Sequence, residues 1–316
     1  MIRAAFGLIF AVYCVAALAQ YPEKPVRFVV PFAPGGATDL LARTLGERLS
    51  AALGQPFVVE NKPGAATQVA AQYVAKAPAD GYTLLMATST TLAINKSLYR
   101  SLPYDPEKDF APISLVVQHP FVLVLDPKIP SKNVQELIAL AKSQPGKLSY
   151  ASGGSGSFAH LAMALFQSLT GVDAIHVPYK GGAPALIDIM GGQVAMMFDN
   201  TAHTYISSGK LRALAVTTRE RLSVLPDVPT LHEAGVAGYD LAAWQGVVAT
   251  AGTPRPVVDR LNGEIRKLLQ LPEVRQRLTA DGGQIITSTP EEFSAHISRE
   301  VVRFAKIVKD SGAKVE

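Results

Sequence analysis

The sequence predicts an α/β fold in two lobes, each a mostly parallel sheet flanked by helices. Three observations predict it. Short apolar runs of strand length alternate with stretches whose apolar residues recur at helical spacing, the pattern of crossover-linked strands. The 316 residues are 48% hydrophobic and 18% charged, enough to bury the core of one large or two medium domains. One plan also occurs twice, in the first half and in the middle of the chain. RFVVPFAPGGATDLLARTLGERL and KLSYASGGSGSFAHLAMALFQSL both read as strand, Gly-rich turn, small polar residues and amphipathic helix. Two such units imply two sheets, each with a loop-to-helix site at the carboxyl ends of its strands, where open α/β sheets take ligands.

The elements follow in order. VRFVVPF (residues 26–32) is a buried strand, and residues 38–53 a helix with apolar positions at helical spacing. PFVVEN is a second strand, residues 66–77 a helix, and YTLLMAT (82–88) a strand that runs into TSTTLAINKSLY. FVLVLD (121–126), NVQELIALAKS, LSYAS, HLAMALFQSLTG, AIHVPY, APALIDIMGG, VAMMFD and LRALAVTT continue the alternation. Trp244, the single tryptophan, is placed just before a strand that leads into a final helical region; it reads as a core aromatic or as a residue at a lobe junction that senses closure.

The first residues address the compartment. MIRAAFGLIFAVYCVAALAQ has a cation at Arg3, an apolar run over residues 4–18 and small residues at Ala17 and Ala19, the pattern of a secretory leader cleaved after Ala19. The run is shorter than the roughly 20 residues a spanning helix needs. Gln20-Tyr21-Pro22 ends it, and no later apolar run is long enough to span. Cys14, the only cysteine, lies in this leader, in a context that suits lipid attachment poorly. The mature chain therefore offers no disulfide and no thiol nucleophile, and reads as a large core-stabilised protein of the periplasm. A scattered net charge of +4, with no Lys/Arg block, excludes the basic stripe that nucleic acid requires.

The Gly-rich turns carry the chemistry. A helix start presents unpaired backbone N–H groups and about half a positive charge. Glycine ahead of it lets a ligand approach the backbone. Residues 34–39 (PGGATD) and 152–157 (SGGSGS) are thus candidate anion cradles, or else ordinary turns capped by Thr38 or Asp39 and by Ser157. A third turn of this type, Tyr179-Lys180-Gly181-Gly182, precedes Pro184 in the first turn of a helix, and Asp199 ends an apolar strand. Lys180 is either an anion partner or solvated; Asp199 either caps a helix or receives a ligand's amine or hydroxyl. An exported hydrolase with Ser155 as nucleophile is the competing reading. Residues 153–157 fail the nucleophile-elbow pattern at the last position, and His160 follows on the first turn of the same helix, whereas a triad base comes from elsewhere in the fold. The other histidines form no metal pair at helical spacing, so neither a metal nor a cofactor is expected.

PFAPGGATDLLAR, DGYTLLMATSTTLAINKSLY, SYASGGSGSFAHL, VPYKGGAPALIDIMGGQV, MFDN and W-x-G-V-x-A-x-A-G-T-P, in this order, resemble the extracytoplasmic receptors of tripartite tricarboxylate transporters, the Bug receptors. The similarity runs from about Tyr21 to the C-terminus; Thr250 stands where the family usually has proline. The resemblance implies a type II-like periplasmic binding protein, monomeric, that closes over a small carboxylate in the cleft between its lobes and serves a membrane transporter. It implies one lobe over residues 20–120 plus 241–316 and the other over 121–240. Carried onto matching positions, the first lobe offers Phe32, Ala33, Gly36, Thr38 and Asp39, with Thr88 and Ser89 from a later strand end. The second offers Ser155, Gly156, Ser157, His160, Tyr179, Gly181 and Asp199. A receptor serving a signalling partner remains the alternative to one serving a permease.

The leader is expected to be removed. Mass spectrometry of the exported protein should give a chain beginning at Gln20; a chain retaining Met1, or lipidated at Cys14, would contradict this.

Overall fold

The computed structural model describes residues 21–179, 181–280 and 282–311. The expected leader, Cys14 and Lys180 lie outside the described residues. Eleven strands alternate with helices: β1 (Val26–Val30), α1 (Ala37–Leu53), β2 (Phe57–Asn61), α2 (Gln68–Ala75), β3 (Thr83–Thr88), α3 (Asn95–Leu98), β4 (Phe110–Pro120), β5 (Val122–Leu125), α4 (Val134–Ser143), β6 (Ser149–Ser152), α5 (Phe158–Thr170), β7 (Ile175–Pro178), α6 (Gly182–Met190), β8 (Met196–Asp199), α7 (His203–Ser207), β9 (Arg212–Val216), β10 (Ala242–Thr250), α8 (Arg255–Leu268), α9 (Pro272–Thr279), β11 (Gln284–Ile285) and α10 (Pro290–Ser311). Among the described residues, no helix is long and apolar enough to cross a membrane.

The strands form two sheets, ordered β11-β4-β10-β3-β1-β2 and β7-β6-β8-β5-β9. Each is mixed rather than mostly parallel. β1 pairs in parallel with β2 and β3, and β6 with β7 and β8, as the alternation predicts. β10 is inserted antiparallel between β3 and β4, and β5 antiparallel between β8 and β9. The reason is topological. β4 and β9 leave their sheets at the end where β3 and β8 finish, so the strand that enters next starts from that end and runs back. Phe121 alone separates β4 from β5, and residues 217–241 link β9 to β10. The two crossings are tied together: Thr217 N–H donates to the Phe121 carbonyl (2.9 Å), Phe121 N–H to Thr217 Oγ1 (2.9 Å), and Leu241 N–H to the Thr217 carbonyl (2.8 Å).

Strand alternation sorts the core. Val26, Phe28 and Val30 face a cluster with Leu41 and Leu45 of α1 and Leu261 and Ile265 of α8. Val29 and Leu85 face the opposite layer, continuous through Phe293 and Phe304 of α10 to Phe158 and Phe166 of α5 and Phe198 of β8. The C-terminal helix thus joins the packing of both sheets, with Phe304 edge-on to Phe158 at 6.3 Å.

Three local differences from the sequence expectation have physical causes. β4 is an eleven-residue strand that the pattern does not announce, because Pro112 and Pro120 argue against a strand. Pro112 is accommodated beside a register shift, where Val248 pairs with it. The helix expected over residues 66–77 begins only at Gln68, because Ala65, Ala66 and Thr67 hold φ of 44°, 47° and 78°. Trp244 lies inside β10, not before it, and is a buried core residue. Its Nε1–H donates to Glu300 Oε2 of α10 at 3.1 Å, and its ring meets Phe293 edge-on.

That bond anchors the C-terminal helix. Trp244→Phe keeps most of the ring but removes the donor to a buried carboxylate, a loss of about 1.5–3 kcal/mol. The melting temperature should fall by roughly 3–12 °C at about 2–4 °C per kcal/mol; an unchanged transition in calorimetry would show that the contact contributes nothing.

Candidate functional site

The expected site residues gather at the carboxyl ends of the parallel strands. Register shows how level they are: Thr88 at the end of β3 pairs with Gln245, near the start of β10, and Asp199 at the end of β8 pairs with Val122, the first residue of β5. The loops and the chain crossings therefore lie at the same end of each sheet.

In the first sheet, the loop after β1 turns at Gly35 (φ 91°), and α1 starts at Gly36 with no side-chain cap. Phe32, Ala33 and Gly36 are exposed, and Gly36 has open space where a Cβ would stand. Uncapped first-turn N–H groups beside open space make this an anion-favouring helix start. Thr38 is buried. Asp39 is 2% exposed and its carboxylate is taken up internally. Oδ2 accepts the Gly35 N–H and Arg43 Nε–H, both at 2.9 Å, and Oδ1 accepts Asn61 Nδ2–H at 2.9 Å. Asn61 also donates to the Phe32 carbonyl at 2.9 Å. Asp39 and Asn61 thus shape the cradle from behind, and hydrogen bonding from Arg43, ahead of the other contacts, holds the Asp39 carboxyl down at about 2.

Beside it, β3 ends in a π-helical turn over Thr90–Ile94, with Ser89 at its start and no side-chain cap. Thr88 is buried, and its hydroxyl meets Thr91 Oγ1 at 3.1 Å, part of a network in which Thr91 Oγ1 donates to Thr67 Oγ1 (3.0 Å) and Tyr104 OH to the Thr91 carbonyl (2.7 Å). Asn95 Nδ2–H donates to the Ala66 carbonyl at 2.8 Å. The network pins the three left-handed residues 65–67, a conformation that costs non-glycine residues on the order of 1–3 kcal/mol each and concentrates at functional sites. The sequence reading missed this turn; Pro63-Gly64 was the available signal.

In the second sheet, Ser155 is exposed at the tip of the loop after β6 and Gly156 is buried with φ 76°. Ser157 caps α5: its side chain accepts the His160 N–H at 3.4 Å. His160 Nδ1 accepts the Gly156 N–H at 3.0 Å, so this nitrogen holds the loop and the Gly156 amide is engaged. Burial lowers the His160 pKa. Tyr179 donates its hydroxyl to Asp188 Oδ2 at 2.8 Å and its N–H to the Ser152 carbonyl at 3.0 Å. Gly181 (φ 112°) starts α6 without a side-chain cap, and its backbone lies 3.6 Å from where a Cβ on Gly153 would stand. Asp199 Oδ1 accepts the Thr201 N–H (2.6 Å) and Oγ1–H (2.8 Å). Its Oδ2 leaves only 2.9 Å for a Cβ on Gly182, which explains glycine there. Burial raises the Asp199 pKa.

Among the described residues, no hydrogen bond links Ser155 to an imidazole. A Ser–His pair does exist nearby, Ser152 Oγ and His176 Nε2 at 2.7 Å, but Ser152 is wholly buried. Among the described residues, no group of three or more His, Cys, Asp or Glu is placed to hold a metal ion. Surface cavities of about 520 and 630 Å³ lie elsewhere, one lined by Asp126, Lys128 and Ile187, the other by Arg27, Lys62 and Tyr73; neither includes a loop residue named above. The expected site residues gather instead at the strand ends and helix starts.

Comparison with known proteins puts this two-sheet α/β fold with uncapped helix starts among solute receptors. Residues 41–313 match the family described as "Tripartite tricarboxylate transporter family receptor". The chain is 40% identical to Protein BugT of Bordetella pertussis, over 94% of this chain and 92% of that one. Among solved structures it is similar to R. palustris Rpa4515 with adipate (38% identity, TM-score 0.84, 93% of this chain and all of that one). It is also similar to MatC from Rhodopseudomonas palustris with bound malate (35%, 0.80, 91% and 100%). The chain belongs to the tripartite tricarboxylate transporter receptor family.

The Asp39 clamp has a pH signature. A carboxyl whose pKa is depressed on folding contributes stability that is present above its unfolded value, about 3.9, and lost as pH falls through about 2. Asp39→Asn should destabilise the protein at pH 7, and the difference from the parent should shrink between pH 4 and pH 2. Denaturant melts across that range check this; a gap constant with pH would contradict it.

Proposed function

We propose that this protein binds a small carboxylate, of the dicarboxylate size range, between two lobes in the periplasm and delivers it to the membrane subunits of a tripartite transporter. The lobes are residues 20–120 with 241–316, and residues 121–240. The observation that carries the reading is the pair of uncapped helix starts, Gly36 and Gly181, that face the strand ends of the two sheets with glycine backbone. Backbone N–H groups and helix dipoles hold a carboxylate without a dedicated cation. The relatives solved with adipate and malate support this ligand class.

Phe32, Ala33, Gly36, Thr38 and Ser89 line the first half of the cleft, and Ser155, Gly181 and Asp199 the second. Asp39, Thr88, Gly156, Ser157, His160 and Tyr179 hold those groups in place. Membership of a receptor family supports binding without turnover.

Adipate and malate, added to protein stripped of carried-over ligand, are the first compounds to test. An acid at about a hundred times its dissociation constant should stabilise the protein by roughly 2.7 kcal/mol, on the order of 5–10 °C in melting temperature. Ser155→Ala should weaken binding by about 0.5–3 kcal/mol and leave no esterase burst to abolish. A carboxylate screen without a shift, or burst release of product that Ser155→Ala removes, would overturn the reading.

A further inference from the structure

Beneath the loop of the second sheet lies a group of side chains of which the binding reading uses only His160. His176 of β7 stacks on His160 of α5 with centroids 4.1 Å apart and planes 3° from parallel. Tyr150 of β6 stacks on His176 at 4.9 Å and on His160 at 6.4 Å. His176 Nε2 lies 2.7 Å from Ser152 Oγ. Ser152 Oγ in turn accepts the Gly154 N–H at 3.1 Å and lies 3.0 Å from the Gly154 carbonyl. The tautomer that satisfies all three contacts has His176 donating from Nε2 to Oγ, and the hydroxyl donating to Gly154. His160, accepting the Gly156 N–H at Nδ1, is then the Nε2–H tautomer.

We infer that His176 and Ser152 are positioning residues for the carboxylate loop: with His160 they fix the backbone of Gly154 and Gly156 on either side of Ser155. The inference rests on the binding reading above for its ligand, but its geometry is independent of it. Gly154 (φ 127°) and Gly156 (φ 76°) are two residues that side chains cannot replace without strain, so their directions are set by what bonds to them. Ser152 reaches the first and His160 the second. The stack makes the two imidazoles one unit, since displacing His176 removes a wall of the His160 site.

The unit is also acid-sensitive. Among the described residues, the titratable groups in ring contact with the two imidazoles are Tyr150 and each other. Burial, and then His160, pushes the His176 pKa down to about 4, while burial lowers that of His160. A histidine depressed on folding contributes stability that is fully present above its unfolded value of about 6.5 and lost as pH falls through its folded value. A proton on His160 Nδ1 displaces the Gly156 N–H, and two stacked imidazolium ions repel. Acid between about pH 6.5 and pH 4 should therefore loosen the loop.

The test combines a ligand-free and a ligand-bound readout. In ¹⁵N NMR of the ligand-free protein, the Gly156 amide should titrate together with the His160 ring. Ser152→Ala and His176→Phe should expose the Gly154 amide to exchange, while His176→Gln, which keeps a donor, should restore its protection. With adipate and malate as probes at pH 7.5, Ser152→Ala and His176→Phe should bind about five-fold more weakly, the loss of one hydrogen bond, and His176→Gln within two-fold of the parent. A protected Gly154 in Ser152→Ala, or His176→Gln as weak as His176→Phe, would overturn the proposal. If the parent binds no carboxylate at all, the binding reading fails, and the two amides alone decide on the positioning pair.

Discussion

The constraint on which the rest depends is where the chain passes from one sheet to the other. Both crossings occur at the carboxyl ends of the strands that carry the glycine-rich loops, and Phe121, Thr217 and Leu241 bond there to each other. One consequence is the strand order: β10 and β5 run against their neighbours because each starts at that end. Another is that the glycine-rich loops of both sheets lie at the same end as the crossings. α10, which packs on β10 through Trp244 and on α5 through Phe304, gives both sheets one continuous apolar support.

At the site, polarity is divided between two tasks. The starts of α1 and α6 are left without side-chain caps, and polar side chains are turned inward to hold the glycine-rich turns through their N–H groups. Asp39 with Asn61 and Arg43 does this in the first sheet, and His160 with His176 and Ser152 in the second. A charged side chain in the cleft would give strong but less selective attraction. Fixed N–H groups attract more weakly and demand a particular placement of the oxygens, which suits a receptor that must release what it binds.

The outline of this arrangement was legible in the sequence. The strand-then-glycine pattern of residues 26–36 and 149–157, repeated at Tyr179 to Gly182, marks the strand ends and helix starts as the structure has them. What was not legible is who bonds to whom across the fold. Asp39 meets Asn61 22 residues later, and Ser152 meets His176 24 residues later; no spacing rule in one sequence pairs them. For that reason the sequence alone does not show that the Asp39 carboxylate and His160 Nδ1 already accept hydrogen bonds within the fold. Local rules misled at β4, where two prolines hide an eleven-residue strand, and at Ala66, where tertiary bonds from Asn95 impose a left-handed backbone that alanine does not choose.

The central claim is that a carboxylate is held by the backbone of helix starts from both lobes at once. A crystal structure of this protein with adipate or malate tests it most directly. The account predicts carboxylate oxygens within about 3 Å of backbone N–H groups from the turn before α1 and from the turns before α5 or α6, with the two sheets' loops enclosing the ligand. A ligand whose carboxylates sit on lysine or arginine side chains, or that touches the loops of one sheet only, would contradict it.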